Sequence, residues 1–322
     1  MSRRVTAVVT GVGAVTALGV GANKLIDGWL EARCGLRDGL GSCDEFDPRE
    51  HLTGKECRRT DRSTQLALAA CDEAVRQAGW DVLRHDPVRV GCVIGTGIGG
   101  TASLERSQDT LRDRGSGAVS PLTVPLMMPN APAANAAIRY NIRGEVLGVT
   151  TACAAGAHAI GTGLRMLAVG ACDAVLVGGA EAALTPLSIA AFRNMQATST
   201  LGLCRPFDAR RDGFVLAEGA AALVLETPEA ARARGAVALG EVIGYGASCD
   251  ASHLTAPVAN GSAAAGAITA ALASADIGAE RISYVNAHGT STPLNDRAET
   301  AALKMALDAH ASDVPVSSTK RW

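Results

Sequence analysis

Eight short runs rich in β-branched residues are spread along the chain: RVTAVVTG, RVGCVIGTG, EVLGVTTA, DAVLVGGAE, AALVLE, ALGEVIGYG, ISYVNAHG and VPVSS. Helical patterns separate many of them, such as DRSTQLALAACDEAVRQAG and GSAAAGAITAALASADIG. In the first pattern Leu66, Ala69, Ala70, Ala74 and Val75 recur at helical spacing, and Gly79 supplies a stop. Strands alternating with helices call for an α/β layered fold. With 322 residues the chain exceeds one small core, so two subdomains or one large α/β unit are expected. RVTAVVTGVG near the start is echoed by ALGEVIGYGAS from Ala238, a faint sign of two similar halves.

Composition narrows the function classes. A net charge of −2 gives no basic excess for nucleic acid or an anionic membrane. No uninterrupted apolar stretch is long enough to span a bilayer, and the glycine-broken apolar run at the start reads as a strand rather than a signal peptide. The nine cysteines are odd in number and include no C-x-x-C pair. This speaks for reduced thiols in a cytoplasm and against a zinc site or a disulfide framework. The stretch 119–132, VSPLTVPLMMPNAP, has four prolines and is expected to be an ordered loop or interface segment, neither regular helix nor central strand.

Three positions carry candidate chemistry. Cys153 follows the strand-like run Val146–Thr151 and precedes a helical face made by Ala157, Ile160, Gly161, Leu164 and Leu167. That places it at a helix N-terminus, where free N–H groups and the helix dipole favour a thiolate, the species that attacks a thioester. The bland alternative is a small buried hydrophobe, the common fate of a free cysteine. His288 follows a strand directly, with Gly289 and Thr290 behind it and Asp296 and Glu299 at the start of the next helix. A histidine at a strand's carboxyl end is placed for hydrogen bonding or proton transfer, although a lone loop histidine is more often structural. Lys320 ends another strand and, taken alone, reads as a solvated lysine. Gly95, Gly97 and Gly100 spell G-x-G-x-x-G, but the second strand that a dinucleotide fold needs falls in the proline-rich stretch. Tight turns and close backbone packing are the better reading of these glycines.

Taken together and in order, VVTGVGAVTALG, DRSTQLALAACDEA, TACAAGAHAIGTG, DAVLVGGAEA, RPFDARRDGFVLAEGAAALVLE and VNAHGTSTPLNDRAET resemble a β-ketoacyl-[acyl-carrier-protein] synthase of the elongating type. The resemblance runs from about residue 4 to Lys320. It implies a thiolase-like fold layered α-β-α-β-α, with two similar halves: residues 1–226, carrying the nucleophilic cysteine, and residues 227–322, incomplete. It implies that Cys153 is the nucleophile and that its own N–H is one oxyanion donor. By the same resemblance His288 is an active-site histidine and Lys320 supports it electrostatically, with Asp296 and Glu299 as acidic neighbours. Thr290 and Thr292 then match threonines that contact a pantetheine arm.

The reaction so implied moves an acyl chain onto the cysteine and condenses it with malonyl-carrier by decarboxylative Claisen chemistry, in fatty acid or polyketide synthesis. No bound cofactor or metal is implied; the phosphopantetheine arm arrives on an acyl carrier protein. Lys55, Arg58 and Arg59 in GKECRRTDRS are expected to dock that acidic carrier, against the plain alternative of a solvated face. A homodimer, or a heterodimer with another ketosynthase-like chain, is expected. The family's second histidine and a later glycine-rich loop would follow Lys320, so SSTKRW implies a C-terminal truncation that impairs condensation. The competing class is a non-catalytic, chain-length-factor-like partner subunit, which Cys153 speaks against. A thiolase acting on coenzyme A esters is a weaker alternative.

Overall fold

The computed structural model describes residues 6–80 and 86–321. Residues 1–5, where the first strand-like run begins, His85 within 81–85, and Trp322 lie outside the described residues. Among the described residues all eight strand-like runs contain a strand. The main sheet has seven strands, ordered Gly19–Val20, Ala7–Thr16, Gly219–Glu226, Ala174–Glu181, Val90–Thr96, Val146–Thr150, with Gly240–Val242 added beside Ala7–Thr16. Val90–Thr96 runs parallel to both of its neighbours, whereas Gly219–Glu226 is antiparallel to both of its own. The sheet is therefore mixed.

Burial on both faces follows from the strand period of two. Cys92, Ile94, Leu176 and Val224 point into one core, against the helix Arg62–Gln77. Val93, Val175, Val177 and Leu225 point into the other, against the helix Ala155–Ala168. All seven residues of Val90–Thr96 are buried, which explains why this run reads as continuously apolar instead of alternating. The stop foreseen for Arg62–Gln77 is real: Gly79 takes φ +59°, which a glycine adopts without strain.

The faint echo has a structural counterpart. A Cβ on Gly11 or Gly13 would lie 2.0 Å from the carbonyl oxygen of Ala74 or Ala70. A Cβ on Gly244 or Gly246 would lie 2.5 Å from that of Ala271 or 2.0 Å from that of Ala267. Each half thus presses a G-x-G segment onto carbonyls spaced four residues apart on an alanine-rich helix. The two segments also meet, Ala7 opposite Val242 and Val9 opposite Gly240, antiparallel. The second β-layer is slight: Val285–Asn286 and Val316–Ser317 form a two-residue parallel ladder. The helices Ser262–Ala275 and Pro293–Leu307 pack on one another beside it.

Tyr245 keys this second half to the first. Its ring occupies the space where a Cβ on Gly161 would sit, 2.3 Å from Cε2. The guanidinium of Arg165 lies 5.1 Å above that ring, and His158 meets its edge at 6.3 Å. The proline-rich stretch departs from expectation. It holds a five-residue helix, Thr123–Met127, and Pro132 opens a further helix, Ala131–Arg139. Proline is tolerated in a first helical turn because the amide it lacks has no intrahelical partner there.

Candidate active site

Cys153 sits in a single 3₁₀ turn, Ala152–Ala154, between the strand Val146–Thr150 and the helix Ala155–Ala168. It is exposed, unlike Cys43, Cys71, Cys92, Cys172 and Cys204, which are buried. The turn is tight because Ala152 takes φ +50°, a left-handed conformation that costs an L-residue roughly 1–2 kcal/mol. The first turn of the following helix carries neither a capping side chain nor an acidic residue. Close packing underneath fixes the position: a Cβ on Gly95 would lie 2.3 Å from the Ala155 carbonyl oxygen. The buried stripe of this helix is led by Ala155, Ala159, Gly163 and Met166 together with Gly161, Leu164 and Leu167. Ala157, expected on that face, is exposed.

The G-x-G-x-x-G loop is a tight turn with its own occupant. The Glu181 carboxylate accepts from Gly97 N at 2.8 Å, Ile98 N at 3.1 Å, Ala182 N at 3.2 Å and Thr96 Oγ1 at 3.3 Å. The loop amides that would cradle a phosphate are already spent on this side chain.

His288 follows Val285–Asn286, and Thr292 caps the helix Pro293–Leu307 by accepting from Asn295 N at 3.3 Å. The loop between them is held by polar contacts. Glu299 receives the His288 amide on Oε1 at 2.6 Å and the Gly289 amide on Oε2 at 2.7 Å. Lys320 Nζ donates to the His288 carbonyl at 2.5 Å, and Ser318 Oγ to the Gly289 carbonyl at 3.0 Å. Thr290 and Thr292 share a hydroxyl–hydroxyl bond of 2.8 Å. Asp296, only 2% exposed, accepts from Phe207 N at 2.7 Å and faces Arg211 at 3.5 Å. Arg205 N donates to Ser291 Oγ at 2.8 Å and Gly213 N to Ser291 O at 2.9 Å, so both ends of the RPFDARRDG segment are bolted to the histidine loop, and Phe207 to the helix that follows it.

Electrostatics draws the pieces together. Crowding by protein atoms lowers the pKa of His288, the Lys320 cation lowers it further, and Glu299 and Asp296 oppose both. The imidazole is thus biased toward its neutral form. Desolvation also lowers the Lys320 pKa, against the pull of Glu299 first and then of Cys153, Cys204 and Asp296. Both residues are exposed to solvent on one side. Lys320 therefore lies within electrostatic reach of Cys153 while bonding the backbone of His288. Sequence reasoning did not single out Ser318, Asn295, Arg211 or Glu181. Arg211 and Glu181 stood inside motifs that were noticed, but their partners lie more than 80 residues away in sequence. Lys55, Arg58 and Arg59 lie on a separate short helix, Gly54–Arg59, with all three side chains exposed.

A cysteine on a strand–turn–helix joint of a mixed sheet, with a histidine loop after a second small parallel ladder, belongs to the thiolase-like fold class. The chain belongs to the β-ketoacyl synthase family, whose members are acyltransferases: residues 40–231 match the beta-ketoacyl synthase N-terminal domain and residues 239–322 the C-terminal domain. It is 42% identical over 334 aligned positions to 3-oxoacyl-[acyl-carrier-protein] synthase 2 of Synechocystis sp., covering 97% of this chain and 79% of that protein. It is 38% identical to the synthase 2 of Staphylococcus aureus, covering 99% and 81%. Among solved structures, the ishigamide ketosynthase/chain length factor superposes with a TM-score of 0.91 at 32% identity, covering 99% of this chain and 81% of that one. A beta-ketoacyl synthase from Burkholderia phymatum gives 0.88 at 34%, covering 98% and 80%. Among the described residues no helix is long and apolar enough to cross a membrane.

Proposed function

We propose that this chain catalyses decarboxylative Claisen condensation on carrier-bound thioesters, with Cys153 as nucleophile. The observation that carries this reading is Cys153 on the turn that opens a helix, together with Lys320 bonded to the backbone of His288. The Cys153 thiolate attacks the acyl-carrier carbonyl, a carbon–sulfur bond forms, and the carrier thiolate leaves and is protonated. The uncapped amides at the turn, Cys153 N–H included, offer donors to the oxyanion. Malonyl-carrier then loses carbon dioxide, and the electron pair released becomes an enolate. Neutral His288 donates a ring N–H to the enolate oxygen. The enolate carbon attacks the acyl-Cys153 carbonyl and expels the Cys153 thiolate. Glu299 and Lys320 hold the imidazole by its backbone, and Thr290 and Thr292 bond the pantetheine arm.

Incubation with acyl-carrier should add one acyl mass at Cys153, and Cys153→Ala should abolish it. Acylation at another cysteine, or undiminished acylation of the alanine variant, would overturn the reading.

The partner is an acyl carrier protein, and the assembly a homodimer or a heterodimer with a ketosynthase-like chain. One solved relative is a type II polyketide acyl-carrier protein in complex with its ketosynthase, and another is a ketosynthase with its chain length factor. The family matches meet between residues 231 and 239, which supports a division near residue 226 into a cysteine half and a histidine half. Nine free thiols favour a reducing, cytoplasmic setting. Lys55, Arg58 and Arg59 dock the acidic carrier, since none has an ion-pair partner among the described residues. Reversing the three charges should weaken carrier binding by about tenfold or more and flatten its salt dependence. Unchanged affinity in a salt titration would remove these residues from the interface.

A further inference from the structure

The glycine loop at 95–100 takes no cofactor and no part in the chemistry above, yet it lies directly beneath the nucleophile. Its amides are directed at one side chain. Three of the four donors on Glu181 come from Thr96, Gly97 and Ile98, all converging on Oε2, and the fourth is the neighbouring Ala182 amide on Oε1. Thr96 Oγ1 also accepts from Gly99 N at 3.1 Å, which closes the loop on itself. A Cβ placed on Gly97 would lie 2.8 Å from Glu181 Oε2 and 3.8 Å from the Ala152 Cα. Glu181, the loop and the left-handed residue before Cys153 therefore form one continuous stack.

We propose that Glu181 is the positioning residue of the Cys153 turn: its carboxylate fixes the 96–99 loop, and the loop holds Ala152 in the left-handed conformation that turns the thiol outward at the helix N-terminus. The inference rests on the reading of Cys153 as nucleophile. An ionised carboxylate suits the role, because each of its partners is a donor and a neutral acid would turn one oxygen into a competing donor. Burial raises the Glu181 pKa, the bonds from Gly97, Ala182, Ile98 and Thr96 lower it, and no charged group contributes. The charge is thus balanced by three backbone amides and the Thr96 hydroxyl, and a proton taken up there would loosen the loop.

Iodoacetamide labelling, followed cysteine by cysteine with mass spectrometry, reads the turn without requiring acyl transfer. Cys34 and Cys249, the other exposed cysteines, serve as internal references, and buried Cys71 and Cys92 report any loss of the fold. Wild type, E181Q and E181D are compared from about pH 5 to about pH 9, where thiolate supply alone changes the rate by about tenfold per pH unit below the thiol pKa. In the wild type, Cys153 labelling should fall more steeply than this on the acid side, as Glu181 takes up its proton. In E181Q the extra fall should vanish, and labelling at neutral pH should be slower by about tenfold, because the thiol leaves the helix N-terminus that favours its thiolate. E181D should lie between the two, with Cys34 and Cys249 unchanged in all three.

A Cys153 rate in E181Q within about twofold of wild type, with no change in its pH profile, would overturn the proposal. So would a joint rise at Cys71 and Cys92, which would make Glu181 a prop for the whole fold. The wild-type profile is informative even if neither variant folds: a plain thiol titration would also overturn it. If Cys153 is alkylated as expected but never acylated by acyl-carrier, the proposed function fails while the positioning role stands on the labelling rates.

Discussion

Cys153 and His288 are held by opposite means. The cysteine turn follows a half-buried edge strand and leads into a helix with a buried face, and its flanks are set by atoms in contact: Ala155 against Gly95, Gly163 against Val177. The histidine loop follows a two-residue ladder whose Val316 is 40% exposed, and its position is set by hydrogen bonds donated to Glu299 and received from Lys320 and Ser318. Packing is cooperative with the whole core, so the strand and helix that flank the nucleophile should move only when the fold does, and only the short turn between them is left to the Glu181 bonds. Polar contacts at an exposed edge can open locally, so the histidine should be able to shift while the rest stays folded.

The contrast can be broken most forcefully at Gly95. Gly95→Val drives carbon into the Ala155 carbonyl and should cost about 3 kcal/mol or more of global stability, measured by urea unfolding. Stability within about 1 kcal/mol of wild type would show that packing does not fix the turn. Glu299→Gln is the matched test on the other side. It replaces an acceptor by a donor opposite the His288 or Gly289 amide, at a local cost of about 1–3 kcal/mol. Hydrogen exchange should quicken at residues 288–292 alone, and decarboxylation of malonyl-carrier should drop by tenfold or more. Loss of the whole fold would erase the distinction between the two regions.

Lys320→Met gives the smallest and most diagnostic change. His288 carries a pKa below its ordinary 6.5, partly because of the Lys320 cation, so the neutral imidazole persists as pH falls through that value. Removing the cation raises the His288 pKa. The acid limb of the decarboxylation profile should then move to higher pH. A limb that moves to lower pH, or not at all, would place Lys320 outside the electrostatics of the histidine.

How much of this was legible in the sequence divides along the same line. The strand, the turn, Cys153 and its helix are contiguous, and local pattern alone located them. The distant partners were not legible on either side: Phe207 N finds Asp296 across 89 positions, and beneath the cysteine Gly97 N finds Glu181 across 84. A two-residue strand such as Val316–Ser317 has no periodicity to read, so Lys320 looked like a solvated side chain until its carbonyl partner was seen. The internal echo was weak as a letter match. It became clear as packing, because what repeats is the lack of a Cβ at two alternate positions against a helix, and glycine is common in this chain for many other reasons.

Tyr245 has a consequence for how such a chain can change over generations. Its ring fills the notch left by Gly161, so a methyl group at 161 is forbidden while the tyrosine remains. Shrinking residue 245 first opens the notch but deprives Arg165 and His158 of the ring they lie against. The two positions can therefore be exchanged in one order only, ring before methyl, through an intermediate with a hole at the junction of the halves. Drift at 161 is locked by a residue 84 positions away, and a lineage that has crossed that gap would find the way back blocked by the new methyl.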